Sequence, residues 1–256
     1  MDIDSNSLVR TTSVLQYTGV AGDNGQQVYC KATNGPGNNI ESNECILHVR
    51  YPPSTAPDIT ASPSGLQYNT ETTVNLTCQL SGGNPIATLS WICKKTGITG
   101  INQSNSTTAV AVLSLVMDSS YNNQLCTCTA NHSLLTSPKS TSVSLTVFYV
   151  PNSAPQLTPI GFTSVDEGQN ITLRCTLPTL GNPHVAWSWY CNEDTIPEGV
   201  SNTGTQSVLT FTAGRKYNQR TCHCRATTTR ATLPYDEISI KQSITVFCKY
   251  IEIMMI

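Results

Sequence analysis

Charge is scarce in this chain. Asp, Glu, Lys and Arg make up 12% of its 256 residues, about half the ~25% of an average soluble domain. A formal net charge of -2, with Lys and Arg scattered along the chain, leaves no basic field for a phosphate backbone and excludes nucleic acid as a partner. Aromatic residues are also few, at 7%. No stretch approaches the ~18 consecutive apolar residues of a bilayer span. The opening MDIDSNSLVR lacks the basic and apolar regions of an export signal, so membrane attachment is expected only through an anchor missing from these residues. No amphipathic helical period is found. Catalytic signatures are missing as well: His48, His132, His184 and His223 are dispersed and stand in neither a G-x-S-x-G nor an H-E-x-x-H setting. No glycine loop suits a phosphate, since GVAGDNG at 19–25 leads into a strand. The expectation is a protein without enzymatic activity, small-molecule substrate or cofactor.

Cysteine is abundant, with 11 residues, which points to an oxidising compartment where disulfides persist. Five N-x-S/T sequons, at Asn75, Asn102, Asn105, Asn131 and Asn170, agree with an exported protein and are its candidate glycosylation sites. Ser and Thr supply about a quarter of the chain. A hydroxyl-rich, sugar-bearing surface would explain how so few charges keep it soluble.

The chain repeats itself. VNLTC at 74–78 returns as ITLRC at 171–175, GNP at 83–85 returns at 181–183, and SWIC at 90–93 returns as SWYC at 188–191. Further on, YNNQLCTCTA at 121–130 matches YNQRTCHCRA at 217–226, and the Pro-rich junction YPPSTAP at 51–57 matches YVPNSAP at 149–155. A third, partial copy precedes them, with QVYCKATN around Cys30 as the counterpart of LCTCTANH around Cys128. The expected organisation is residues 1–50 as the C-terminal half of one domain, 51–149 and 150–248 as complete domains, and 249–256 as an unassigned tail. Proline at the junctions restricts the backbone and stiffens the links. Within each copy, runs such as VNLTCQL, VAVLSLVM and SVSLTVFY alternate with period two between Gly, Asn, Pro and Ser clusters, which reads as short strands.

Each complete copy thus carries a Cys, a Trp and a later Cys: Cys78, Trp91 and Cys128, then Cys175, Trp189 and Cys224. In about seven strands and ~100 residues this resembles the immunoglobulin superfamily, whose sandwich packs a Trp against an inter-sheet disulfide. The resemblance covers nearly the whole chain. It implies an all-β protein of tandem immunoglobulin-like β-sandwiches, two complete and one N-terminally truncated. The Cys-to-Cys spacing is too short for the two extra strands of a variable domain, which favours a C2 or I set. The Y-P-P-x-x-x-P junction at Tyr51 resembles those of nephrin-like and kin-of-irregular-chiasm-like adhesion receptors.

Four cysteines per copy permit three connectivities. The resemblance implies Cys78 with Cys128 and Cys175 with Cys224 across the sheets, about Trp91 and Trp189 as core residues. It leaves Cys93 with Cys126, and Cys191 with Cys222, on neighbouring strands C and F. Residues two apart share a strand face, so the added cysteines point inward beside the first pair. Cys126 and Cys222 replace the tyrosine that the family keeps two residues before the second Cys. Cys222-His223-Cys224 offers zinc-type donors, but Thr127 holds the place of His223 in the other copy, so no metal is expected. Cys30, Cys45 and Cys248 remain. Cys30 has two candidate partners, a strand B cysteine upstream or Cys45 across a hairpin centred near Gly37 and Asn38. Residues 1–50 lack strands B and C and are expected to be disordered or prone to edge pairing.

By resemblance, the chain is expected to be a fragment of the ectodomain of a cell-adhesion receptor. It would act at the extracellular face of the plasma membrane and bind Ig-type cell-surface proteins, homophilically or heterophilically. The alternative is a secreted humoral recognition protein that binds foreign glycans or proteins.

Overall fold

A computed structural model of the protein describes residues 2–3, 9–192, 194–196, 198–230 and 232–248; the tail over 249–256 lies outside the described residues. The chain is all-β. Its helical segments among the described residues are the 3-10 turns Ala21–Asp23, Ser119–Tyr121 and Arg215–Tyr217, one ahead of the segment around Cys30 and one ahead of each strand that carries Cys128 or Cys224. Each turn is capped by an asparagine, Asn24, Asn122 or Asn218.

In the first copy, β1 (Asp2–Ile3) pairs with β2 (Val9–Arg10). Next come β3 (Gln27–Val28), β4 (Lys31–Thr33), β5 (Asn39–Glu41) and β6 (Cys45–Ile46), which form a bent hairpin with β4 on β5 and β3 on β6. This local ladder forms where disorder or edge pairing was expected. Among the described residues it covers no core: Val14, Leu15 and Tyr17 expose 82%, 76% and 60% of their surface. The register also overturns the expected opposition of Cys30 and Cys45. Val28 faces Cys45, while Cys30 faces Ser42, donating its N–H to the Ser42 hydroxyl at 2.8 Å and accepting the Ser42 N–H at 2.9 Å. The turn is closed by Asn34 N–H donating to the Asn38 carbonyl, ahead of the expected centre. An extra residue on the return strand then slips every later partner by one, as a bulge does. Cys30 and Cys45 are both unbonded and exposed.

The second copy contains β7 (Asp58–Ser62), β8 (Gln67–Asn69), β9 (Thr73–Ser81), β10 (Thr88–Cys93), β11 (Thr96–Ile98), β12 (Ile101–Asn102), β13 (Thr108–Val116), β14 (Gln124–Asn131) and β15 (Lys139–Phe148). They form the sheets β12-β13-β9-β7 and β11-β10-β14-β15-β8. The period-two pattern does the sorting: Val74, Leu76, Cys78 and Leu80 on β9 are buried, and Thr73, Asn75 and Gln79 between them are exposed. β8 joins β15 in parallel, so the first strand of the copy divides between the two sheets.

The third copy repeats the plan with β16 (Gln156–Ile160), β17 (Ser164–Asp166), β18 (Asn170–Thr176), β19 (Ala186–Cys191), β20 (Asp194–Thr195), β21 (Val200–Thr203), β22 (Gln206–Thr212), β23 (Thr221–Thr227), β24 (Asp236–Ile238), β25 (Gln242–Ser243) and β26 (Thr245–Phe247). One sheet is β16-β18-β22-β21; the other is β20-β19-β23-β24, with β25 also on β23. β17 runs parallel to β26. Between the sheets lie Ile171, Leu173, Trp189, Leu209, Ile244 and Val246, none more than 2% exposed. Burying each such side chain contributes about 1.5–3 kcal/mol. Cys224 meets Ser239 as Cys30 meets Ser42: its N–H donates to the Ser239 hydroxyl at 3.1 Å, and its carbonyl accepts the Ser239 N–H at 3.0 Å. The same serine bulge thus recurs two copies apart.

Candidate recognition face and domain junctions

The inward residues of strands C and F form the foundation. Cys78 is bonded to Cys128, Cys175 to Cys224 and Cys191 to Cys222; Cys93 and Cys126 are disulfide-bonded as well. Closing loops of 50 and 31 residues restricts the unfolded chain by about 4 and 3.7 kcal/mol on the chain-entropy estimate. Trp91 and Trp189 are 2% and 0% exposed. The Trp91 indole N–H donates to the Ala111 carbonyl at 3.2 Å, and that of Trp189 to the Ser207 hydroxyl at 2.9 Å. Because Cys222 and Cys224 are oxidised, neither can supply a thiolate to a metal.

Alternation then dictates what the outer face of β19 and β23 shows. Trp189 and Cys191 point in, so Ser188 and Tyr190 point out; Cys222 and Cys224 point in, so His223 and Arg225 point out. The register sets Tyr190 opposite His223 and Ser188 opposite Arg225. Tyr190 and His223 stack with ring centroids 5.4 Å apart and 16° between planes. Arg225 grips Asp236 of β24 with two donors, Nε to Oδ1 at 2.6 Å and a terminal nitrogen to Oδ2. Tyr190, His223, Arg225, Asp236 and Lys241 line a shallow depression of about 540 Å³, with Ile238, 47% exposed, at its edge. His223 is thus half-buried on this outer face, stacked on Tyr190.

The charge states follow from these contacts. Burial pushes the His223 imidazole below its ordinary 6.5, with Lys241 and Arg225 adding repulsion. The Nδ1 atom is buried without a hydrogen-bond partner among the described residues. Hydrogen bonding to Arg225 holds the Asp236 carboxyl below its usual range, and bonds from Ser188 and Arg225 lower the Tyr190 phenol. At neutral pH the face thus joins a neutral stacked pair to a fixed ion pair. The second copy is different in kind: Ile92, Thr127 and Thr129 stand where Tyr190, His223 and Arg225 stand, and Thr127 pairs its hydroxyl with Ser142 at 2.7 Å. The signal for the third face was the middle residue of C-x-C and of W-x-C, the positions a disulfide reading passes over.

A second construction recurs at both Pro-rich junctions. At the second junction, the Asn182 side-chain amide donates to the Val147 carbonyl at 2.8 Å and to Asn122 Oδ1 at 3.2 Å; the same Oδ1 accepts the Val147 N–H at 3.1 Å. Asn182 and Tyr149 exchange backbone bonds of 2.8 and 3.0 Å. At the first junction Asn84, Val49, Asn24 and Tyr51 do the same, with amide bonds of 2.7 Å to Val49 and 3.1 Å to Asn24. This explains the glycine of G-N-P. Gly181 has φ +78, and a Cβ there would lie 2.7 Å from the Tyr149 carbonyl. The Arg230 guanidinium lies over the Phe148 ring at 3.5 Å, and the Tyr235 hydroxyl donates to the Ser153 carbonyl at 2.7 Å.

All five sequon asparagines are exposed. Asn75 and Asn170 sit on the outer faces of β9 and β18, Asn102 on β12, and Asn131 at the end of β14. Asn105 shapes its own turn, with Oδ1 accepting the Thr107 and Thr108 N–H groups at 2.9 and 2.8 Å. No helix among the described residues is long and apolar enough to cross a membrane.

These sandwiches and their disulfides define a class. A CD80-like C2-set immunoglobulin domain matches residues 57–139 and an immunoglobulin domain matches residues 154–249, and the chain belongs to the immunoglobulin superfamily. Among curated proteins it is similar to human nephrin, 27% identical over 86% of this chain and 18% of nephrin, and to rat nephrin, 24% identical over 98% of this chain and 21% of the relative. The chain therefore spans about a fifth of the length of the relatives it matches. The ectodomain of mouse nectin-like molecule 4 has the same fold, with a TM-score of 0.53 and 20% identity over 77% of this chain and 66% of that one.

Proposed function

We propose that the chain is part of the ectodomain of a cell-adhesion receptor, and that its third domain binds an Ig-type protein on another cell through the outer face of β19, β23 and β24. The observation that carries this reading is the asymmetry of the two sheets. The third copy's one sequon, Asn170, lies on the outer face of β18, while the opposite sheet holds the Tyr190–His223 stack, Arg225 and the exposed Ile238. Tyr and Arg, here on a face without a sequon, are residue types that dominate protein interfaces. Weak contacts would be multiplied by many copies on opposed membranes. The similarity to nephrin, an Ig-superfamily relative, supports the same reading.

The remaining assignments belong to this proposal. Domain boundaries are read at 51–149 and 150–248, with 1–50 as the later strands of a preceding domain, supported by the serine bulge that Cys30–Ser42 shares with Cys224–Ser239. Cys93 is paired with Cys126 by analogy with Cys191–Cys222, and non-reduced peptide mapping should recover that link. The five sequons are read as glycan acceptors at the cell surface.

The test uses beads coated with the glycosylated chain, mixed with one another and with beads bearing a panel of Ig-type ectodomains. Clustering with at least one partner is expected, together with its loss in the Tyr190→Ala, Arg225→Glu double variant and its retention in Asn170→Gln. Clustering by the double variant at the wild-type level would refute the assignment of this face.

A further inference from the structure

The junction clasp has a third acceptor. Asn218 occupies the place of Asn24 and Asn122, capping the 3-10 turn Arg215–Tyr217, and its Oδ1 accepts the Val246 N–H at 3.0 Å. The equivalent bonds to Val49 and Val147 measure 3.0 and 3.1 Å. At those two sites an asparagine amide of the next domain bridges Oδ1 and the valine carbonyl. At the third, the Val246 carbonyl meets, among the described residues, only the Cys248 thiol, at 3.7 Å, a weak donor. A second observation agrees: Phe148 lies under Arg230 of the following domain, whereas its counterpart Phe247 is 58% exposed.

We propose that Asn218 Oδ1, the Val246 carbonyl and the Phe247 ring form a docking site for the Gly-Asn-Pro turn of a further Ig-type domain joined in tandem after Phe247. The occupant's chemistry follows from the two filled sites. It must present a neutral carboxamide, because one nitrogen carrying two hydrogens serves two acceptors, as Asn84 and Asn182 do. It must also place glycine before that residue, since Gly83 and Gly181 both hold positive φ against the incoming linker. The linker itself contributes only backbone groups, the N–H and carbonyl of Tyr51 or Tyr149, so Cys248 can stand in the tyrosine's place. The inference is independent of the adhesive face.

The experiment replaces residues 248–256 with a second copy of residues 149–247 joined directly to Phe247, which reproduces the Val-Phe-Tyr-Val-Pro order of the filled junction. Thermal midpoints are measured for the extended chain, for Asn218→Ala, for Ala at Asn182 of the added copy, and for both changes together. Each single change is expected to lower the midpoint by about 4 °C, and the two together to cost less than their sum, because they share the contact between Asn218 Oδ1 and the added amide while each also removes a bond of its own. Asn218→Asp, which keeps an acceptor oxygen for Val246 and for the amide, should match the parent. Additive losses, or the same Asn218→Ala loss without the extension, would overturn the proposal and leave Asn218 as a brace of its own turn. Self-association of the unextended chain that Asn218→Ala abolishes would also overturn it, assigning the site to a second copy.

Discussion

Asn182→Asp changes one atom type at the second junction and leaves the volume alone. The wild-type amide donates to Val147 at 2.8 Å and to Asn122 Oδ1 at 3.2 Å; the variant puts an acceptor where that donor stood. Two hydrogen bonds of about 1 kcal/mol each are lost. The new carboxylate faces two acceptors, but the site is half-buried and solvent screens much of that repulsion, so the total is about 2–3 kcal/mol. The backbone bonds to Tyr149, the Arg230–Phe148 contact and the Tyr235–Ser153 bond remain, so the junction should loosen rather than come apart. For a domain of this size, calorimetry should find the third-domain transition lowered by about 10 °C at pH 7. Facing two acceptors raises the new carboxyl above the ordinary ~3.9 in the folded state. The penalty is therefore present above that raised value and is relieved as pH falls through it, because the protonated acid donates again. A variant melting within about 1 °C of wild type, or a loss that does not change with pH, would refute the clasp as a stabilising element.

Two further outcomes are expected. Ser207→Ala removes the partner of the Trp189 indole at a position with no solvent exposure and should cost about 1–3 kcal/mol in urea unfolding; Ser207→Thr should retain most of it, and an unchanged midpoint in Ser207→Ala would count against that bond. His223 should titrate by NMR below its ordinary 6.5. The unfolded chain takes the proton first, so the third domain loses stability as pH falls from 6.5 through the folded value, and Lys241→Ala should raise that value. A midpoint at or above 6.5 would contradict the burial argument.

Much of the fold was legible because strand alternation is a local rule. The spacing in W-x-C and C-x-C decides which residues share a strand face whatever the rest of the chain does, and the resemblance to immunoglobulin sandwiches implied that this face is the inner one, as it is for Trp91, Trp189 and the cysteines beside them. The same rule makes Asn75 and Asn170 face outward, and the repeat itself marked the junctions. Register across a turn is a different kind of information. Nothing local records that Cys30 meets Ser42 instead of Cys45; that depends on where the hairpin turns, and the extra residue between Ser42 and Cys45 then sets Val28 against Cys45. The clasps are more remote still, since Asn84 meets Asn24 and Asn182 meets Asn122 across 60 residues. G-N-P was visible as a repeated string, but its meaning lies in a valine carbonyl and a capping asparagine that the folded linker brings within 3.2 Å. The recognition face shares this character: Tyr190, His223, Arg225 and Asp236 come from three strands, and only pairing of β19, β23 and β24 makes them neighbours. A period of two residues is written into the chain, whereas which strand lies beside which, and in what register, is decided when the whole core closes.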